Sequence, residues 1–118
     1  MEERDFHHNE IVKGKEQLNS ISCLSNLANL YKVFGDNTRI QILYLLLDNQ
    51  LCVNAIVQIL EKEQSAISHQ LKVLKEYDLI AGKKDGKHTI YYLKDDHVKT
   101  IIKQGLEHIQ ERGQDESI

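Results

Sequence analysis

Two histidines, His97 and His108, stand eleven positions apart in the segment DDHVKTIIKQGLEHIQE (residues 95–111), with Asp95 before the first and Glu111 after the second. Imidazole and carboxylate are the nitrogen and oxygen donors that zinc accepts. On one helix that separation is a rise of about 16 Å, whereas a Zn–N bond is about 2 Å long, so one ion cannot reach both histidines of a chain. Successive steps of about 100° nevertheless bring them to within about 20° of the same face. If two copies of the helix pack antiparallel about a two-fold axis, Asp95 and His97 of one meet His108 and Glu111 of the other, twice per dimer. The alternative is that both histidines are solvated residues on an amphipathic helix. A zinc enzyme using His97 or His108 is a third reading, but four closed N and O ligands leave no position for a catalytic water.

A second run with chemistry is QSAISHQ, residues 64–70. Gln64, Ser65, Ser68 and His69 are small or hydrogen-bonding side chains, the kind that reach base edges in a major groove from the first turns of a helix. An ordinary polar helix face reads the same way. Charge distribution helps to decide. The chain carries a net charge of −3, yet residues 62–94 hold seven lysines against four carboxylates, a local +3 within a remainder of −6. Lys83, Lys84 and Lys87 cluster at one point of that segment, where they can neutralise phosphates.

These residues need elements to hold them. LSNLANLYKVF spaces Leu24, Leu27, Leu30, Tyr31 and Phe34 by three and four, the period of an amphipathic helix that Gly35 should end. Asp36 should cap the next helix, TRIQILYLLL, which is apolar nearly all round and therefore central. VNAIVQILE reads as a short helix followed by EQSAISHQLKVLKEYDLI, in which Ala66, Ile67, Leu71 and Leu74 form the inward stripe. Two short helices with a tight turn suggest a helix-turn-helix. LIAGKKDGKHTIYYL then changes period and pairs two arms around Asp85 and Gly86 as a hairpin. A last helix runs from residue 96 to about 112. The fold class expected is mainly α with a β-hairpin wing, a winged helix-turn-helix acting as a homodimer. Its divisions are a flexible arm over 1–20, a DNA-binding and dimerisation domain over 21–112, and a disordered tail over 113–118.

At 118 residues and 41% hydrophobic, the chain is one domain long with enough apolar content for a core. No apolar run approaches the roughly 18 residues needed to span a bilayer, and the charged start is unlike a signal peptide, so a cytoplasmic protein is expected. Cys23 and Cys52 are too few for a disulfide framework and are expected as free, buried thiols.

FGDNTRIQILYLL, LCVNAIVQIL, QSAISHQLKVLKEYDLI, KKDGKHTIYYL and DDHVKTIIKQGLEHIQE, in this order and spacing, resemble the ArsR/SmtB family of metal-sensing winged-helix repressors over about residues 22–112. The pattern is most similar to the zinc sensors of the SmtB and CzrA type. The resemblance implies a homodimeric repressor that binds double-stranded operator DNA when metal-free and releases it on binding Zn2+. It also implies that Gln64, Ser65, Ser68 and His69 read DNA, that the hairpin is the wing, and that Asp95, His97, His108 and Glu111 form the interhelical metal site. The family's second site, built on cysteines, is not matched: Cys52 is kept, but Asn54 and Ala55 stand where ligands would be, and the N-terminal segment offers His7 and His8 instead. Those histidines could raise coordination toward six and favour Ni2+ or Co2+. A further alternative keeps the fold and senses thiol oxidation at Cys23 or Cys52.

Overall fold

The computed structural model describes residues 2–115, with side chains from 7 to 113. Six helices and three short strands follow in the order α1 (Glu2–Asn19), α2 (Leu24–Phe34), α3 (Asn37–Leu45), β1 (Leu51–Cys52), α4 (Val53–Leu60), α5 (Gln64–Glu76), β2 (Ile80–Asp85), β3 (His88–Leu93) and α6 (Asp96–Asp115). None of the helices, among the described residues, is long and apolar enough to cross a membrane.

The chain divides into two compact units, Met1–Lys32 and Val33–Ile118. In the first, the segment expected as a flexible arm is helical as α1. Its Glu, Lys and Gln residues are strong helix formers, and the Ser20 N–H closes it on the Glu16 carbonyl at 2.9 Å. The unit exposes a series of apolar side chains, Ile11, Val12, Leu18, Ile21, Leu24, Leu27 and Tyr31. Cys23, expected to be buried, is exposed where it precedes α2.

In the second unit the anticipated breaks are present. α2 stops before Gly35, and the Asp36 carboxylate caps α3 by accepting the Arg39 N–H at 3.0 Å. Such caps contribute about 1 kcal/mol. Ile42 and Leu43 of α3 are fully buried, as a central helix requires. They meet Ile56 of α4, Ile67, Leu71 and Leu74 of α5, Ile80 of β2, Leu93 of β3, and Val98 and Ile102 of α6 in one core. Ala66, expected in the inward stripe, is exposed instead. It stands one step of about 100° from Ile67, beyond the edge of a stripe already filled by larger side chains. No buried polar or charged residue occurs among the described ones.

The sheet has the order β1-β3-β2, all antiparallel. β1 has only two residues, too few to leave an alternating pattern in the sequence. The hairpin turn lies one residue later than expected: Asp85 pairs with His88, so Gly86 and Lys87 are the central residues. Gly86 takes φ +63° while Lys87 stays out of the positive-φ region, the pattern of a type II′ turn, which wants glycine first. α6 continues to Asp115, past the expected start of the tail; residues 116–118 of that tail lie outside the described residues.

Gly82 marks a close approach of a different kind. A Cβ there would stand 2.8 Å from Thr89 Cγ2 and 3.3 Å from the Tyr91 ring across the ladder. Gly82→Ala should therefore destabilise the protein by about 1–3 kcal/mol, read as a lower urea midpoint at unchanged m-value in circular dichroism; an unchanged midpoint would mean that β2 and β3 shift apart without cost.

Candidate functional site

Two surfaces of the second unit carry Gln64, Ser65, Ser68 and His69 with the wing lysines, and Asp95, His97, His108 and Glu111. The first is α4, a three-residue turn and α5. Glu61 closes α4 in the left-handed conformation (φ 54°, ψ 49°), which turns the chain sharply into Lys62 and Glu63. Ile67, Leu71 and Leu74 then seat α5 on the core, and burying each contributes about 1.5–3 kcal/mol. That seating leaves Gln64, Ser65, Ser68 and His69 exposed together with Lys72. Glu63, the residue before α5, makes no side-chain cap.

The wing brings its lysines together less closely than their spacing suggests. Lys83 pairs with Ile90 and Lys84 with Thr89, so the two point to opposite faces of the hairpin, while Lys87 occupies the turn. The Lys83 ammonium lies 5.7 Å from the centre of the Tyr92 ring on its own face. Such a cation–π contact at an exposed site is worth about 0.5–1 kcal/mol and draws the lysine back along the strand. Lys84 and Lys87 extend from the wing without it.

The second surface is α6. Asp95 caps this helix, its Oδ1 accepting the Val98 N–H at 3.2 Å. His97 Nδ1 lies 3.4 Å from the same oxygen, and its side chain is 92% exposed. Desolvation works to raise the Asp95 pKa, but the Val98 N–H and the neighbouring His97 hold the carboxyl below its ordinary value. A carboxylate kept ionised is what a metal ligand requires. His108 and Glu111 are exposed further along the helix, one turn apart. Among the described residues no three His, Cys, Asp or Glu side chains of this one chain come close enough to hold a metal ion. The four residues expected as ligands therefore lie as two separate pairs along the helix, Asp95 with His97 and His108 with Glu111. Both flank the stripe of Val98 and Ile102 that packs on the core.

His7 and His8 are exposed on α1, where His7 Nδ1 stands 3.7 Å from Glu10 Oε2. Cys52 is a half-buried free thiol at the start of α4. One residue of consequence was not singled out in the sequence: Arg39, whose guanidinium donates to the Val33 carbonyl and the Gln70 side chain. Its only sequence signal is its position three residues after the cap Asp36.

A helix-turn-helix followed by a basic two-stranded wing defines a winged-helix DNA-binding protein. The family model for bacterial regulatory proteins of the arsR family matches residues 36–81, from the α3 cap to the start of the wing. An HTH-type transcriptional regulator of Methanocaldococcus jannaschii is 46% identical over 77 residues, covering 64% of this chain and 86% of the relative. A homologue of the cadmium resistance transcriptional regulatory protein CadC from Staphylococcus aureus is 31% identical over 107 residues, covering 90% of this chain and 88% of the relative. The crystal structure of the antimony-specific transcriptional repressor AntR superposes with a TM-score of 0.68 at 26% identity, over 77% of this chain and 83% of that one. The chain belongs to the ArsR family, whose members matched here are transcriptional regulators and not enzymes.

The α5 face and the wing should separate by mutation. Ser68→Ala and His69→Ala are expected to weaken binding to specific DNA alone, because base contacts specify; Lys84→Ala should weaken binding to every duplex and reduce the salt slope by about one. Titrations of each variant with specific and random duplexes at several salt concentrations check this, and equal losses on both duplexes for all three would rule out α5 as the reading helix.

Proposed function

We propose that this protein is a metal-responsive transcriptional repressor of the cytoplasm that binds operator DNA as a metal-free homodimer and releases it when zinc binds. The observation that supports this reading is the placement of exposed N and O donors on α6, Asp95 and His97 towards one end and His108 and Glu111 towards the other, too far apart to share one ion within a chain. Asp95 and His97 of one chain, facing His108 and Glu111 of the partner subunit, would complete a set of four N and O donors twice per dimer. Bound zinc would supply a closed tetrahedral centre with no vacant position, a regulatory rather than a catalytic arrangement. The donor set lacks thiolate, which weighs against cadmium as the preferred ion; cobalt and nickel accept the same donors and would be separated from zinc by affinity and availability.

The apolar side chains exposed along α1 and α2, and Ile109 exposed on α6, support association of two chains. Closing both sites would fix the angle between subunits, and with it the spacing of the two α5 helices against successive major grooves. A shift of a few ångströms there prevents simultaneous docking. Zinc and DNA must weaken each other by one common factor, and couplings of this kind are about 1–3 kcal/mol.

The metal-free protein should sediment as a dimer at micromolar concentration, and a monomer in analytical ultracentrifugation would sink this proposal. The switch has its own test in paired titrations of zinc and of DNA from upstream of the protein's own gene. His108→Ala is expected to leave metal-free DNA binding nearly intact and to abolish the effect of zinc on it. If zinc still releases DNA normally from that variant, the interhelical site is not the switch.

A further inference from the structure

The described side chains include a polar link between elements distant in sequence, centred on Arg39 in the first turn of α3. Its Nε–H donates to the Val33 carbonyl at 2.9 Å, and its Nη1–H donates to Gln70 Oε1 at 3.1 Å, across 31 positions of sequence. The backbone N–H of the same residue is held by Asp36 at 3.0 Å. Val33 is next to last in α2, so its carbonyl is one of those that a helix end leaves without an intrahelical partner. Gln70 directly follows His69 and is half-buried beside Leu71.

We infer that Arg39 is a positioning residue for DNA recognition: its guanidinium ties the carbonyl end of α2 to the middle of α5 and so sets the tilt at which Ser68 and His69 are presented. The apolar stripe of α5 is non-directional and fixes which face is inward. Hydrogen bonds fix direction. A planar fork with several N–H groups can hold two acceptors on different helices at once, whereas a lysine ammonium offers charge without that geometry. The half-buried setting strengthens the bonds relative to an exposed pair. Because the Gln70 oxygen is engaged by Arg39, this side chain acts through the protein and not by reading a base with that oxygen.

This inference rests on the DNA-binding reading above, and its test keeps the two apart. Arg39→Lys, Gln70→Ala and the double variant are titrated, metal-free, with duplex from upstream of the protein's own gene and with random duplex, and their thermal midpoints are recorded. Arg39→Lys retains the charge, so binding to random duplex and its salt slope should stay as in the unaltered protein, while affinity for the upstream duplex should fall about tenfold, the equivalent of about 1.4 kcal/mol. Gln70→Ala should give a similar selective loss, and the double variant little more than either, since one linkage is being removed. If Arg39→Lys fails to fold, Gln70→Ala alone decides, because it leaves the α3 cap and the Val33 bond in place. Equal losses on both duplexes would make Arg39 a phosphate contact and overturn the inference. Additive losses, or none, would also overturn it. Failure of the unaltered protein to distinguish the upstream duplex from random DNA would instead count against the functional reading itself.

Discussion

Burial of Ile67, Leu71 and Leu74 permits α5 a single rotational setting, and the arrangement of the second unit follows from it. A helix turned by one residue, about 100°, would carry these side chains into water and bring Ser68 or His69 against Ile42 and Leu43. The cost of such a turn is the loss of several kcal/mol of apolar burial together with unpaired polar groups in the core. The polar face of α5 is therefore outward because nothing else about the helix can be. α3 and α4 supply the floor on which it rests, and the left-handed Glu61 supplies the sharp entry to its first turn.

A different constraint shapes α6. Its apolar side chains hold it to the core through Val98 and Ile102, while its metal-type donors lie on a flanking face at opposite ends. Helical rise keeps the two pairs about 16 Å apart, a distance no coordination sphere spans. The cap on Asp95 adds order at one end: one of its oxygens receives the Val98 N–H beside His97, which starts the helix and aligns two donors with the same contact. If zinc is held as proposed, sensing and self-association are consequences of one geometry, since each pair of donors needs the complementary end of a second chain.

The wing illustrates how pairing register redistributes charge. Three lysines close in sequence become two on opposite faces and one in the turn, and Tyr92 holds one of them back. The positive potential is thus spread around the tip. That suits a flexible electrostatic contact with phosphates better than it suits a point contact with a base. The local +3 of residues 62–94 gives a chain of net negative charge one basic segment.

Much of this was legible in the residues themselves. The period of Leu24 to Phe34, the break at Gly35, the cap at Asp36 and the stripe of Ile67, Leu71 and Leu74 are local signals, and each names a boundary or a face within a few residues of itself. The family was legible too, because several such motifs occur in fixed order. Local pattern was silent where structure depends on partners far along the chain. β1 is too short to show a period and exists because β3 offers it an edge; the turn at Gly86 and Lys87 was decided by the pairing of Asp85 with His88. Ala66 falls at an angle outside the buried stripe, α1 is helical where polarity suggested an arm, and Arg39 gains its hydrogen bonds only when folding brings Gln70 and Val33 beside it. Sequence by itself determined which faces are apolar and which residues can carry chemistry, since these are properties of side chains and helical period. Tertiary structure decided register, direction and linkage, because those depend on hydrogen bonds between segments that sequence separation conceals.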